Sequence, residues 1–179
     1  ANMTSGADGT IAIGYQAGAA ITSGADNLAI GLNAADALDV GSYNIAIGAL
    51  ALTADTKGSR SIAIGRRALM AQNFTSATDA YNVAIGFEAG NDISTGVNNT
   101  LIGGQSGSTI TTGGNNVAVG ASALVTNTTG AGNTSVGFAA LDANTTGASN
   151  IAVGKNALGA NTTAVSNIAI GDSAMACNT

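Results

Sequence analysis

Ten glycines divide this chain almost evenly: Gly14, Gly31, Gly48, Gly65, Gly86, Gly103, Gly120, Gly137, Gly154 and Gly171. Successive members stand 17 residues apart, except Gly65 and Gly86, which are 21 apart. Each closes a version of Asn-Ile-Ala-Ile-Gly and is followed three residues later by Ala or Ser. A fixed period of this size marks a solenoid, whose units hide their apolar faces only by stacking on one another. The expectation is an all-β chain: residues 1–179 as a single β-solenoid of about ten rungs, one rung per glycine, roughly 50 Å tall at about 4.8 Å per rung.

With the glycine as position 0, positions −3 and −1 carry Ile, Val or Leu in nearly every rung, and position −2 carries Ala in eight. Large–small–large alternation is the mark of a strand. It suggests that Ile13, Ile30, Ile47, Ile64, Ile85 and Ile102 form a core and that the Ala stripe makes a second close contact. Position −4 is Asn in eight rungs, among them Asn27, Asn44, Asn82, Asn116, Asn133, Asn150 and Asn167. Asn tolerates left-handed angles and bonds its own turn, so these residues are expected to form the corner entering each strand, stacked in a ladder. Glycine at position +10 in seven rungs suggests a second corner, with a shorter strand or extended segment between.

Positions +4 and +7 compensate for each other. Where +4 is Leu or Met, as at Leu124, Leu141 and Leu158, position +7 is polar. Where +4 is Gly18, Ala35, Gly90 or Gly107, position +7 is Ile21, Leu38, Ile93 or Ile110. One core volume per rung, filled from either of two places, accounts for both patterns.

The composition narrows the functions available. The apolar share of 45% is carried largely by small residues, with 37 Ala beside 26 Gly. A thin column of this kind, with about three large apolar side chains per rung, looks underfilled on its own. A homotrimer, packed through the Ala stripe, is the simplest remedy. A net charge of −5 argues against nucleic acid. With no His and a single cysteine, Cys177, no nucleophile–base pair, disulfide framework or thiolate metal site is expected. Neither an enzyme nor a cofactor or metal is therefore anticipated. No apolar run approaches the roughly 20 residues that would insert into a membrane. Cys177 is read as a small packed residue, and the several Asn-x-Thr/Ser sequons as by-products of the repeat.

Asn-Ile-Ala-Ile-Gly-x-x-Ala resembles the head repeats of YadA-type trimeric autotransporter adhesins. The Asn-Thr-Thr-Gly spacers at 127–130 and 144–147 are similar to repeats of phage tail fibres and related virion fibres. The resemblance covers essentially the whole chain. It implies a left-handed parallel β-roll in intertwined homotrimers, and a segment of a longer fibre on a virion or cell surface that mediates host attachment. The bacterial adhesin head is the alternative, and an ice-binding solenoid a remote one. Self-association is the expected partnership, with a host glycan or protein as a further partner. The long rung carries four extra residues within 73–81 beside a basic cluster, so Arg66, Arg67, Phe74 and Tyr81 are the candidate receptor contacts. The simpler reading of the insertion is a tolerated loop whose Phe74 folds back on the roll.

Overall fold

The computed structural model describes residues 7–177. Each repeat contributes one three-residue strand ending just before its glycine. These strands are β1 (Ile11–Ile13), β2 (Leu28–Ile30), β3 (Ile45–Ile47), β5 (Ile62–Ile64), β7 (Val83–Ile85), β8 (Thr100–Ile102), β9 (Val117–Val119), β10 (Thr134–Val136), β11 (Ile151–Val153) and β12 (Ile168–Ile170). They form one ten-stranded parallel sheet whose spatial order follows chain order. Equivalent residues face each other across it, as Ala12 with Ala29 and Ala29 with Ala46. Two short strands, β4 (Gly58–Ser59) and β6 (Thr78–Asp79), pair beside the long rung. No helix occurs among the described residues, and the chain is a parallel β-solenoid.

The segment after the glycine is not a second strand. Positions +2 and +4 take left-handed angles, as at Arg67 (φ 59°) and Leu69 (φ 48°), so the chain folds through consecutive tight turns. Rung-to-rung bonding continues through them: the Leu52 amide donates to the Ala68 carbonyl at 3.0 Å, and Leu124 to Ala140 at 2.9 Å.

The strand wall faces the opposite way from the sequence expectation. Ala29, Ala46, Ala63, Ala84, Ala118 and Ala152 point into the coil and are completely buried, while the flanking Ile and Val look outward. Ile13 is 58% exposed and Ile102 38%, and Ile30, Ile47, Ile64 and Ile85 are half-buried. The reason is volume. Seventeen residues enclose a narrow lumen, and the large residue from +4 or +7 already occupies it. Only a methyl group then fits from the wall.

Leu124, Leu141 and Leu158 do fill that lumen and are completely buried, as are Leu38, Ile93 and Ile110. The two sources share one space. A Cβ added at Gly107 would lie 2.8 Å from Ile110 Cδ1, and one at Gly18 would lie 3.0 Å from Ile21 Cδ1. Leu101, the one large residue at −2, follows the same rule. It fits because glycine occupies +4 in its own rung and the one below, and a Cβ at Gly90 or Gly107 would meet it at 2.8 Å.

The corner Asn residues do stack, but through their side chains rather than their backbone angles. The left-handed residue is the one before, at −5, as at Tyr43 (φ 62°) and Asn115 (φ 60°). Below the last rung, each Asn Oδ1 accepts from the backbone amide at −4 of the next rung, which is Asn except at Ser61: Asn27 from Asn44 and Asn116 from Asn133, both at 2.9 Å. Its Nδ2 donates to the position +10 carbonyl, as Asn82 to Gly96 at 2.7 Å. Asn27, Asn44, Asn82, Asn116, Asn133 and Asn150 are buried, and Asn167 is half-buried.

Position +7 adds a second amide column, invisible in the sequence except as polarity. Asn144 Nδ2 donates to Asn127 Oδ1 and Asn161 Nδ2 to Asn144 Oδ1, both at 2.9 Å. Asn178, which continues that column in the sequence, lies outside the described residues.

The repeat glycine is required twice over. At Gly120 φ is 139°, and an added Cβ would stand 2.4 Å from the Gly137 carbonyl oxygen. The +10 glycines have ordinary φ and are required by proximity alone, since a Cβ on Gly41 would stand 2.1 Å from the Gly58 oxygen.

Candidate functional site

Three surfaces could engage a partner, and the rung pattern builds each. The first is the outer wall of the sheet. Its twenty positions, −3 and −1 in ten rungs, hold eighteen Ile, Val or Leu and two Thr (Thr100 and Thr134), with no charge. Position +1 lies along one margin and includes the exposed rings of Tyr15, Phe87 and Phe138. Position −5, exposed in all ten rungs, lies along the other.

The second surface is a cluster on the −5 margin. Tyr43, Arg60 and Tyr81 occupy −5 in successive rungs. The Arg60 guanidinium lies over both rings, 4.8 Å from the Tyr43 centroid and 5.9 Å from that of Tyr81. Its Nε reaches Asp79 Oδ1 at 3.0 Å, and the Tyr81 hydroxyl donates to the same carboxylate at 3.5 Å. The insertion supplies Asp79 and leaves residues 75–77 exposed alongside.

The third surface, on the +1 margin, holds Arg66 and Arg67. Arg67 Nη1 pairs with Glu88 Oε1 at 3.2 Å, and Arg66 lies 5.7 Å from the Phe87 centroid. A strand separates this pair from Tyr81, so the four receptor candidates do not form one site.

Phe74 is only 5% exposed and packs back onto the coil, with its amide directed at Asp55 Oδ1. Asp55 is itself buried and takes further bonds from the Gly58 amide at 2.9 Å and from Gln72 Nε2 at 2.6 Å. The insertion is thus anchored from inside. Sequence reasoning missed Tyr43 and Arg60, although their shared place five residues before the glycine was available to find them.

Other sequence readings sort simply. Asn127, Asn133, Asn144 and Asn161 are buried, so their sequons are structural amides. Cys177 is exposed rather than packed, at position +6, a column that lies partly open to solvent. The threonine pairs bond the rung above, as Thr128 Oγ1 to the Thr145 carbonyl at 3.0 Å. Among the described residues no group of acidic, His or Cys side chains is arranged to hold a metal, and no helix is long and apolar enough to cross a membrane. Compared with protein-family models, curated proteins and solved structures, the chain matches none.

Proposed function

We propose that this chain is a structural and adhesive segment of a homotrimeric fibre, a left-handed roll whose three copies gather their Ile/Val walls around a common axis. The uncharged outer wall carries this reading. Ten strands about 4.8 Å apart, with outward side chains two abreast, make an apolar strip of roughly 400–500 Å². A strip of that size matches the largest apolar patch of a typical monomer, often a functional surface; here it is continuous and uncharged over ten rungs, and a lumen lined with Ala leaves much of the chain's large apolar content outside. The fibre displays its side columns and the exposed 75–77 loop to a host surface, on a virion by preference and on a bacterial adhesin head as the alternative. It performs no catalysis and needs no cofactor.

The wall is tested by sedimentation of the purified chain and of Ile47→Lys with Ile64→Lys. The parent should run as a trimer and the variant as a folded monomer, and a monomeric parent would overturn the assembly. Attachment is tested separately with Arg60→Ala/Tyr81→Ala. Binding to host cells or glycan arrays should fall, and undiminished binding would reduce this segment to a spacer.

A further inference from the structure

One carboxylate lies inside the coil. Among the described residues Asp55 is the only acidic side chain that is completely buried, and it belongs to the rung just below the insertion. It occupies +7, where Asn127 and Asn144 stand in other rungs, but it bonds in the opposite sense. Asn127 Nδ2 donates to the Gly130 carbonyl and Asn144 Nδ2 to the Gly147 carbonyl. Asp55 Oδ1 instead accepts from the amide of the corresponding glycine, Gly58, at 2.9 Å.

The insertion explains the reversal. In a regular rung the +10 amide reaches the +8 carbonyl of the rung above, as Gly24 does to Asp39 at 3.3 Å and Gly96 to Thr111 at 3.2 Å. Above Gly58 that place belongs to Asn73, where the extra residues begin and the chain turns Phe74 inward. Amides that would have joined the ladder converge on one oxygen. Asp55 Oδ1 takes Gly58, Lys57 at 3.3 Å and Phe74 at 3.4 Å, and Oδ2 takes Gln72 Nε2 at 2.6 Å. All four partners are donors. Gln72 is held in that sense, because its Oε1 accepts from Asn82 Nδ2 at 2.9 Å and its Nε2 also reaches Ser61 Oγ at 3.0 Å.

A charged carboxylate is an acceptor only and satisfies such a set, whereas a neutral one must place its own O–H among donors. Of these neighbours only Lys57 is charged, and it forms no ion pair with Asp55. The ion pairs among the described residues join Arg60 to Asp79 and Arg66 and Arg67 to Glu88. Backbone amides, not a cation, therefore hold the charge. Gly58 begins β4, Phe74 stands at the start of the loop, and β6 at the far end of the loop pairs with β4. One carboxylate thus fixes the insertion where it leaves the coil and the strand to which it returns. β6 in turn carries Asp79, the partner of Arg60 and Tyr81.

We propose that Asp55 is an acid-sensitive latch on the insertion: while it is charged, residues 73–81 are fastened against β4, and its protonation releases them and disperses the Arg60–Asp79–Tyr81 cluster. The latch is closed with the carboxylate charged and opens as pH falls. Its consequence for attachment rests on the contact reading given above. Asp79 is the second titratable group of the assembly, exposed and paired with Arg60, and needs its own control.

The test is hydrogen exchange of the full chain from neutral to acid pH, corrected for the intrinsic pH dependence of exchange. The reporters are the amides of Gly58, Phe74 and Ala80, the last bonded to Ser59 across β4 and β6. Leu124 and Leu141, bonded to the rungs above them, are the references. On acidification the reporters should exchange about tenfold faster or more relative to the references. Reporters that stay protected, or that open only together with the references, overturn the latch. Asp55→Asn keeps the size and removes the charge. It should open the reporters at neutral pH and abolish the acid response, whereas Asp79→Asn should retain that response. An acid response that survives in Asp55→Asn, or disappears in Asp79→Asn, overturns the assignment to Asp55. Should Asp55→Asn not fold, the titrations of the parent and of Asp79→Asn decide by themselves. Attachment to host cells over the same pH range separates the two readings: attachment that persists after the reporters open removes the contact role of the cluster and leaves the latch standing.

Discussion

Exchanging one core subtype for the other tests the shared lumen most directly. Leu141 is completely buried at φ 52°. Leu141→Gly forfeits about 2–5 kcal/mol in transfer and cavity terms and relieves roughly 1–2 kcal/mol of left-handed strain. Adding Asn144→Ile refills the space from the other side and returns about 1.5–3 kcal/mol. The same change removes Asn144 from its column, where it bonds Asn127 and Asn161 at 2.9 Å and the Gly147 carbonyl at 3.0 Å. Each buried group left unpaired costs about 1–3 kcal/mol, so rescue in this interior rung is partial.

The neighbouring rung behaves differently. Leu124→Gly/Asn127→Ile sits at the edge of the amide column, beside a rung that already uses Ile110. Asn127 has one column neighbour, Asn144, against two for Asn144 itself. The edge double variant should therefore be the more stable of the two by about 1–3 kcal/mol. Urea unfolding of both double-mutant cycles, followed by circular dichroism, measures this. Additivity in both cycles would refute the shared volume, and equal rescue in the two rungs would show that the amide column contributes nothing.

Other outcomes are expected. Asn116→Ala leaves the buried Asn133 amide without its acceptor, while the Gly130 carbonyl keeps its bond from Asn127 Nδ2 at 2.9 Å, and should cost about 1–3 kcal/mol in thermal or urea unfolding. Gly120→Ala should disrupt the ladder outright, because its Cβ would collide with the Gly137 carbonyl. Gly104→Ala should leave the fold of a single chain unchanged by circular dichroism. Ala84→Lys should abolish folding rather than release a folded monomer, since Ala84 faces the lumen; a folded Ala84→Lys monomer would place the Ala stripe outside after all.

The solenoid was legible because its signals are local and repeated ten times. The glycine ruler set the register of all ten strands, and the alternation between Leu141 with Asn144 and Gly107 with Ile110 revealed the lumen. Which side of the strand faced inward was not legible. Ile-Ala-Ile is a period-two pattern with either face buried, and hydrophobicity alone favours hiding Ile. The deciding quantity was lumen volume, a property of the closed coil. Leu101 held the clue, since it replaces Ala only where glycines at 90 and 107 vacate space beside it. The candidate receptor residues scattered for a related reason: 21 residues from glycine to glycine say that a rung is longer, but not that Phe74 turns inward or that Arg66 and Tyr81 fall on opposite margins.

Because every rung bonds only the rung above and the rung below, this chain can change its copy number without redesign. Unequal recombination between repeats would add or remove whole 17-residue units, each altering the rod by about 4.8 Å, and the new junction would meet the same amides and carbonyls as the old. Only certain cut points permit this. A break within a block such as Leu124–Leu141–Leu158 joins like to like, whereas one that parts Leu101 from Gly90 or Gly107 leaves an oversized wall residue against a filled lumen. The block structure of the core therefore doubles as a map of where such a solenoid can lengthen over generations and where it cannot.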